Sequence, residues 1–289
     1  MNTQKSRIIG IDVGGTKILL QAFDEKMNLV EEEKVLTEVK KGQMGFTKQL
    51  ISLIEVYFHP KIKSIGVALP GIIDKKTGVL LKAPHLPVKN LKIKKILSER
   101  FKRPVTVDND GNAFLYAQSQ RPILKKYKNL IAIMPGTGLG GAILVEGKMV
   151  YGKQGFAGEL AHMVIRQEGR LRTFEQNTSG AFIGKIAQEL GVKSKFTPYD
   201  LTKNSQEAKK VKKHIVQQLG IGLANLNLIF NPQAFVMGGS IYTNCLKDSK
   251  KEFQKIIAEH ALDQRSPLIF DGDEKYTVAR GMAMMSRER

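Results

Sequence analysis

A chain of 289 residues with 42% hydrophobic content is long enough for one large domain or two smaller ones, and two domains flanking a cleft are expected. No apolar run approaches the roughly 18 residues of a membrane span, and the N-terminus carries no signal-peptide stretch, so a soluble cytoplasmic protein with no membrane partner is expected. The single cysteine, Cys245, excludes an internal disulfide and any zinc site built on several thiolates. Lys plus Arg number 46 against 27 Asp plus Glu, a net charge of +19. The lysines fall in dispersed pairs such as KIKK (92–95) and KKVKKH (209–214), without interleaved aromatics or a nucleic-acid motif, so a solvated basic surface is expected rather than a nucleic-acid partner.

In chain order, RIIGID (7–12) and ILLQAFD (18–24) read as strands around a Gly-Gly turn, and residues 28–39 supply a third strand of a meander. The spacing of Phe46, Leu50, Leu53, Ile54, Tyr57 and Phe58 predicts a helix. SIGVAL (64–69) predicts a buried strand ending at Pro70-Gly71. NLIAIMP and GAILVEGKMVY read as strands, 209–230 as a long helix, QAFVMGGS (233–240) as a strand and glycine turn, and YTVARGMAMMSRER as a closing helix. This order of elements is α/β, with glycines punctuating strand ends.

Three glycine clusters carry candidate chemistry. In GIDVGGTK, Gly14 and Gly15 let backbone N–H groups approach a phosphate, Thr16 offers a hydroxyl, and Asp12 can hold Mg2+ through water. The stretch is not a P-loop, because a strand rather than a helix follows; alone it fits a plain hairpin as well as a phosphate site. PGTGLGG (135–141) matches G-x-G-x-x-G at Gly136, Gly138 and Gly141, yet AILVEGKMV alternates like a strand, so it reads as a second hairpin carrying Thr137 and not a dinucleotide fingerprint. Two such hairpins suggest two similar subdomains facing one nucleotide. Gly238, Gly239 and Ser240 form a third turn where a ligand can pass close to the backbone, or a structural strand turn.

The acidic stretch VDNDGNAF (107–114) lacks the glycine and glutamate spacing of a calcium loop. It fits a capped helix start, or an aspartate that accepts a proton from a substrate hydroxyl attacking phosphorus. In GFAGELAHM, Glu159 and His162 are three apart and would share a face on one helical turn; with Glu175 they offer carboxylate and imidazole groups that can grip adjacent sugar hydroxyls, or that serve the structure alone.

Taken together, IGIDVGGTK, GVALPGIID, VTVDNDGNA, PGTGLGGAI, GFAGELAHM and NPQAFVMGGS resemble, in order and spacing over nearly the whole chain, the ROK family of bacterial sugar kinases and repressors. The resemblance implies an actin-like ATPase fold with two ribonuclease H-like lobes and a cleft between them: residues 1–118 completed by a C-terminal helix at 277–289, and residues 119–276. It implies Asp110 as the catalytic base for the sugar's 6-hydroxyl, and Asn109, Glu159, His162 and Glu175 as sugar ligands, with Gly71 bordering the pocket. It further implies that Asp12, Gly14, Gly15, Thr16, Gly136, Thr137 and Gly138 hold the ATP phosphates and Mg2+, that Gly238 and Gly239 flank adenosine, and that the chain is a homodimer.

One departure stands out. The family usually places a cysteine-rich zinc motif before the glutamate matching Glu175, with the histidine matching His162 as a further ligand, whereas Arg166, Glu168 and Thr173 occupy the cysteine positions here and the segment is shortened. No structural zinc is therefore expected. The expected activity is ATP-dependent phosphorylation of a hexose, glucose first, with N-acetylglucosamine, N-acetylmannosamine, mannose and fructose as alternatives. An inactive sugar-binding regulator is the reading from another class. A repressor is not expected, since the first strand starts near Arg7 and leaves no room for a winged helix. Polyphosphate in place of ATP is a further alternative, distinguished by a steeper salt dependence.

Overall fold

The computed structural model describes residues 5–83, 86–167, 169–262 and 267–288. Glu168, one of the positions discussed above, and Arg289 at the end of the expected closing helix lie outside the described residues. Two compact units are present: Met1–Leu124 with Tyr151–Phe156 and Asp273–Arg289, and Lys125–Val150 with Ala157–Gly272.

The first unit is built on strands β1 (Ile8–Val13), β2 (Lys17–Phe23), β3 (Leu29–Leu36) and β4 (Ser64–Leu69), the short β5 (Ile72–Asp74), β6 (Val79–Lys82) and β7 (Lys89–Leu91), and β8 (Val105–Asn109). Its helices are α1 (Gly42–Tyr57), α2 (Ile93–Phe101), α3 (Asp110–Ser119) and a C-terminal helix, Val278–Arg287. The main sheet has the order β3-β2-β1-β4-β8. The first three strands run antiparallel, and β1, β4 and β8 run parallel. Sequence dictates these places: SIGVAL is apolar after Ser64 and buried throughout, as a strand covered on both faces must be, whereas Glu31, Glu32, Glu33 and Lys34 put a charged run on the edge strand β3.

The C-terminal helix lies on the sheet at two glycines. Gly10 and Gly66 are register partners on β1 and β4, and a Cβ at either would fall 2.0 Å from the Ala279 carbonyl oxygen or 2.1 Å from that of Met282. Only a missing side chain lets the helix backbone approach so closely. Gly281 of the same helix meets α3 in the same way, a Cβ there falling 2.0 Å from the Ala113 carbonyl oxygen, so α3 is braced from behind.

The second unit repeats the plan with β9 (Leu130–Pro135), β10 (Leu139–Val145), β11 (Lys148–Met149), β14 (Ala234–Met237) and β15 (Leu268–Asp271), the last two following the hairpin strands β12 (Val164–Gln167) and β13 (Arg170–Thr173). Its order is β11-β10-β9-β14-β15. The single strand expected over residues 141–151 is broken at Glu146-Gly147, both at positive φ, into β10 and β11. Helices α4 (Phe174–Thr178), α5 (Ile183–Glu189), α6 (Gln206–Phe230) and α7 (Lys250–His260) complete the unit. The long helix begins earlier than its apolar spacing suggests because Ser205 caps it, accepting the Ala208 amide, and it stops at Asn231 in the left-handed region. Each unit has its own core: Ile11, Leu20, Phe46, Val67 and Val107 in the first, and Ile133, Phe174, Leu223, Phe235 and Tyr242 in the second. Among the described residues no helix is long and apolar enough to cross a membrane.

Candidate functional site

In the first unit, Asp12 stands near the end of β1, just before the hairpin Gly14-Gly15-Thr16. Gly14 donates its amide to the Lys17 carbonyl at 2.8 Å, and the Thr37 hydroxyl donates to the Gly14 carbonyl at 2.7 Å, so the turn is tied to the end of β3. Burial, and then the nearby Asp110 carboxylate, raise the Asp12 carboxyl from 3.8 to about 7, with Lys34 pulling the other way. Burial also raises Asp110, against the pull of the Gly111 amide bonded to it at 2.8 Å. A nearby cation or hydrogen-bond donor would favour the ionised form of either carboxyl group.

The start of α3 explains the crowded acidic stretch. Asn109, not an aspartate, is the cap: its Oδ1 accepts the Asn112 amide at 3.0 Å. Asp108 is buried at 2% exposure and holds the turn from beneath. Its Oδ1 accepts the Asn109 amide and the Asn112 side-chain amide, each at 2.9 Å, while its Oδ2 accepts the Tyr151 hydroxyl at 2.9 Å and the Lys75 ammonium. Asp110 follows the cap on the first turn of the helix, where its Oδ1 accepts the Gly111 amide and the macrodipole favours its anion. Gly71, at φ +101° beside the end of β4, passes so close to β6 that a Cβ would meet the Lys82 carbonyl oxygen at 2.2 Å.

In the second unit the turn Gly136-Thr137-Gly138 closes on itself, Gly136 donating to the Gly138 carbonyl at 2.8 Å. It is gripped from outside by Gly180 and Ala181, whose amides donate to the carbonyls of Gly136 and Thr137 at 2.8 and 2.9 Å. Glu175 accepts the Leu139 amide on Oε2 at 3.0 Å and leaves only 2.8 Å for a Cβ on Gly138. Gly239 takes φ +80° where a Cβ would lie 2.5 Å from the Pro135 carbonyl oxygen, and Gly238 donates to Ile133 at 2.9 Å. Glu159 and His162 flank one short helical turn, Leu160–His162, with the His162 amide bonded to the Glu159 carbonyl at 3.2 Å. Glu159 is half-buried and His162 exposed. The turn is laid on β10 because Gly141 leaves room for Leu160, and it is tied to α4 by the Phe174 amide donating to the Met163 carbonyl at 2.7 Å. In the second unit, then, the turn that carries Glu159 and His162 lies on β10 through Leu160, and Glu175 is bonded to Leu139 at the start of the same strand.

The zinc that the resemblance brings to mind does not fit these residues. Cys245 is buried in the second unit's core, on the helical stretch after Gly239, and no other thiol exists in the chain. Val164–Gln167 and Arg170–Thr173 pair instead as the antiparallel strands β12 and β13. Arg172 makes a forked pair with Glu189 at 2.7 and 2.6 Å, and Thr173 forms a reciprocal cap with Gln176 at the head of α4. Among the described residues no group of three or more His, Cys, Asp or Glu side chains is placed to hold a metal ion.

Two ribonuclease H-like units of this topology define the actin-like ATPase fold, and comparison with solved structures agrees: a glucokinase from Streptomyces griseus, in complex with glucose and AMPPNP, superposes with a TM-score of 0.80 over 98% of this chain and 99% of that one, at 23% identity. The chain belongs to the ROK family, whose sequence model matches residues 8–289. Among curated relatives, a glucokinase from Halalkalibacterium halodurans is 28% identical over 92% of this chain and 88% of its own length. A xylose repressor from Caldicellulosiruptor bescii is 29% identical over 82% of this chain and 67% of its own.

Several participants were not legible as such in the sequence. Lys75 and Tyr151 carry no motif, and their meeting at Asp108 depends on Tyr151–Phe156 folding with the first unit. Gly180 and Ala181 act through backbone amides, which leave no side-chain signature.

Proposed function

We propose that this protein is an ATP-dependent sugar kinase that phosphorylates the 6-hydroxyl of a hexose, with glucose the first candidate. The observation that carries the reading is Asp110: a carboxyl group just past the cap on the first turn of a helix, with its proton affinity raised by burial, and near enough to Asp12, beside a glycine hairpin, to raise that group as well. A general base needs a proton affinity brought toward the working pH, and Asp110 is shifted in that direction. In this mechanism Asp110 accepts the proton of the 6-hydroxyl as its oxygen attacks the γ-phosphorus, and the phosphorus–oxygen bond to ADP breaks in line. Asn109 is the residue that would orient the sugar, and Glu159, His162 and Glu175 are candidates to bind its other hydroxyls. The hairpins at Gly14-Gly15-Thr16 and Gly136-Thr137-Gly138 are the candidate phosphate sites, with the Thr16 and Thr137 hydroxyls as donors, and the turn at Gly238-Gly239 is the candidate neighbour of the adenosine. Asp12 is the residue that would hold Mg2+, a cation that needs only one or two protein carboxylates beside the phosphates; once bound, it supplies charge stabilisation to the transferring group.

Purified protein with Mg-ATP and a panel of hexoses and 2-acetamido hexoses tests the reading, with ADP release as the rate and 31P NMR as the assignment of the phosphorylated position. One sugar converted to its 6-phosphate supports it and names the substrate. Sugar binding without ADP release would make the protein a sensor, as the repressor among its relatives suggests for the family.

A further inference from the structure

Asp108 is the most heavily engaged carboxylate of the first unit, and the assigned roles leave it unused. It is a buried carboxyl group with four donors: Asn109 and Asn112 on Oδ1, Tyr151 and Lys75 on Oδ2. The Lys75 and Asp108 side chains retain 19% and 3% exposure, so the pair lies largely out of water, and the ammonium also sits 4.1 Å from the centroid of the Tyr151 ring. The two oxygens face different ways in function. Oδ1 holds the residue immediately before Asp110 and the residue two positions after it, bracketing the candidate base. Oδ2 is held by side chains from two distant segments, the β5–β6 turn and Tyr151–Phe156.

We propose that Lys75 and Tyr151 are positioning residues for Asp110, acting through Asp108: they hold the carboxylate in the one orientation that fixes both flanks of the base. This rests on the kinase reading above for its catalytic consequence, but not for its geometric one. A buried carboxylate that loses its cation must turn, protonate or draw in water, and each response releases the Asn109 amide or the Asn112 side chain. A shift of the base by about 1 Å is enough to cost on the order of a hundredfold in rate. Tyr151 contributes twice, as the second donor to Oδ2 and as the aromatic face that holds the ammonium.

The test uses the full chain and three variants: Lys75→Met, Lys75→Met/Asp108→Asn, and Tyr151→Phe. Lys75→Met is expected to lower kcat per folded molecule by about 10–100-fold with the KM for ATP unchanged. The double variant, whose neutral amide needs no counter-ion, is expected to recover most of that loss, a rescue that a merely stabilising ion pair would not give. Tyr151→Phe, which removes a single hydroxyl and serves if Lys75→Met does not fold, is expected to lower kcat severalfold. A kcat per folded molecule within twofold of the parent in every folded variant overturns the proposal. Amide hydrogen exchange over residues 107–114 gives a readout independent of activity: faster exchange in Lys75→Met and Tyr151→Phe, restored in the double variant, is the expected result, and unchanged protection overturns the proposal even if the parent phosphorylates no sugar.

Discussion

Glu175 lays its Oε2 3.0 Å from the Leu139 amide and against Gly138, so a candidate sugar ligand also braces the turn assigned to the nucleotide phosphates. The two tasks are physically coupled through one carboxylate. Gly138→Ala puts a methyl group 2.8 Å from that oxygen, and the far end of a side chain yields before backbone does. The variant is expected to fold with its melting temperature nearly unchanged but to raise the sugar KM by about tenfold, in line with a ligand displaced by a fraction of an ångström. Steady-state kinetics over a sugar titration check this.

Gly66→Ala should behave in the opposite manner. Its methyl group would fall 2.1 Å from the Met282 carbonyl oxygen, and the C-terminal helix backbone has no cheap route away from the sheet. Overpacking of this kind costs about 1–3 kcal/mol or more. Thermal and denaturant unfolding should show the loss, which an unchanged midpoint would refute.

Much of this frame was readable from residues alone, and the exceptions have physical reasons. The strand, glycine turn, strand pattern occurs at residues 7–24 and 130–145 and announces the two similar sheets, because backbone turns without side chains leave glycines in the sequence. The VDNDGN stretch was legible as a helix start but not the division of labour within it: which of the four side chains Asp108, Asn109, Asp110 and Asn112 caps, which is buried and which follows the cap is decided by the β8-to-α3 geometry. Lys75, Tyr151 and the Arg172–Glu189 pair are long-range meetings of ordinary residues, and nothing local marks them.

Asp12 gives a pH prediction with a defined sign. Its carboxyl titrates near 3.8 when exposed and near 7 in the fold, raised by burial first and Asp110 second. Between those values the folded state holds a proton that the unfolded chain has released, so this group's contribution to stability falls as pH rises through that window and is lost above it. Asp12→Asn removes the titration. The variant is expected to match the parent near pH 4 and to exceed it by about 1–2 kcal/mol at pH 8, the full shift being reduced by partial solvent access, while losing phosphoryl transfer. Denaturant unfolding across pH checks it; a parent that gains stability relative to the variant as pH rises would reverse the sign.

The hairpin in place of a zinc motif predicts independence from thiophilic metals. An excess of 1,10-phenanthroline is expected to leave the melting temperature and the sugar KM unchanged. Arg172→Met should raise the sugar KM severalfold with a smaller effect on kcat, because the forked pair to Glu189 lies beside the Thr173 cap that sets the direction of α4 and Glu175. Chelator-dependent loss of sugar binding, with zinc found by elemental analysis, would contradict this.

The central claim is that Asp110 accepts the proton of the substrate hydroxyl, and the most direct measurement is single-turnover phosphoryl transfer by Asp110→Asn beside the equilibrium dissociation constant for the sugar. The amide keeps size and shape and removes only basicity. The account predicts a loss of about a thousandfold in the transfer step, with the sugar dissociation constant changed by no more than severalfold. Transfer within tenfold of the parent would contradict it and assign the proton to another acceptor.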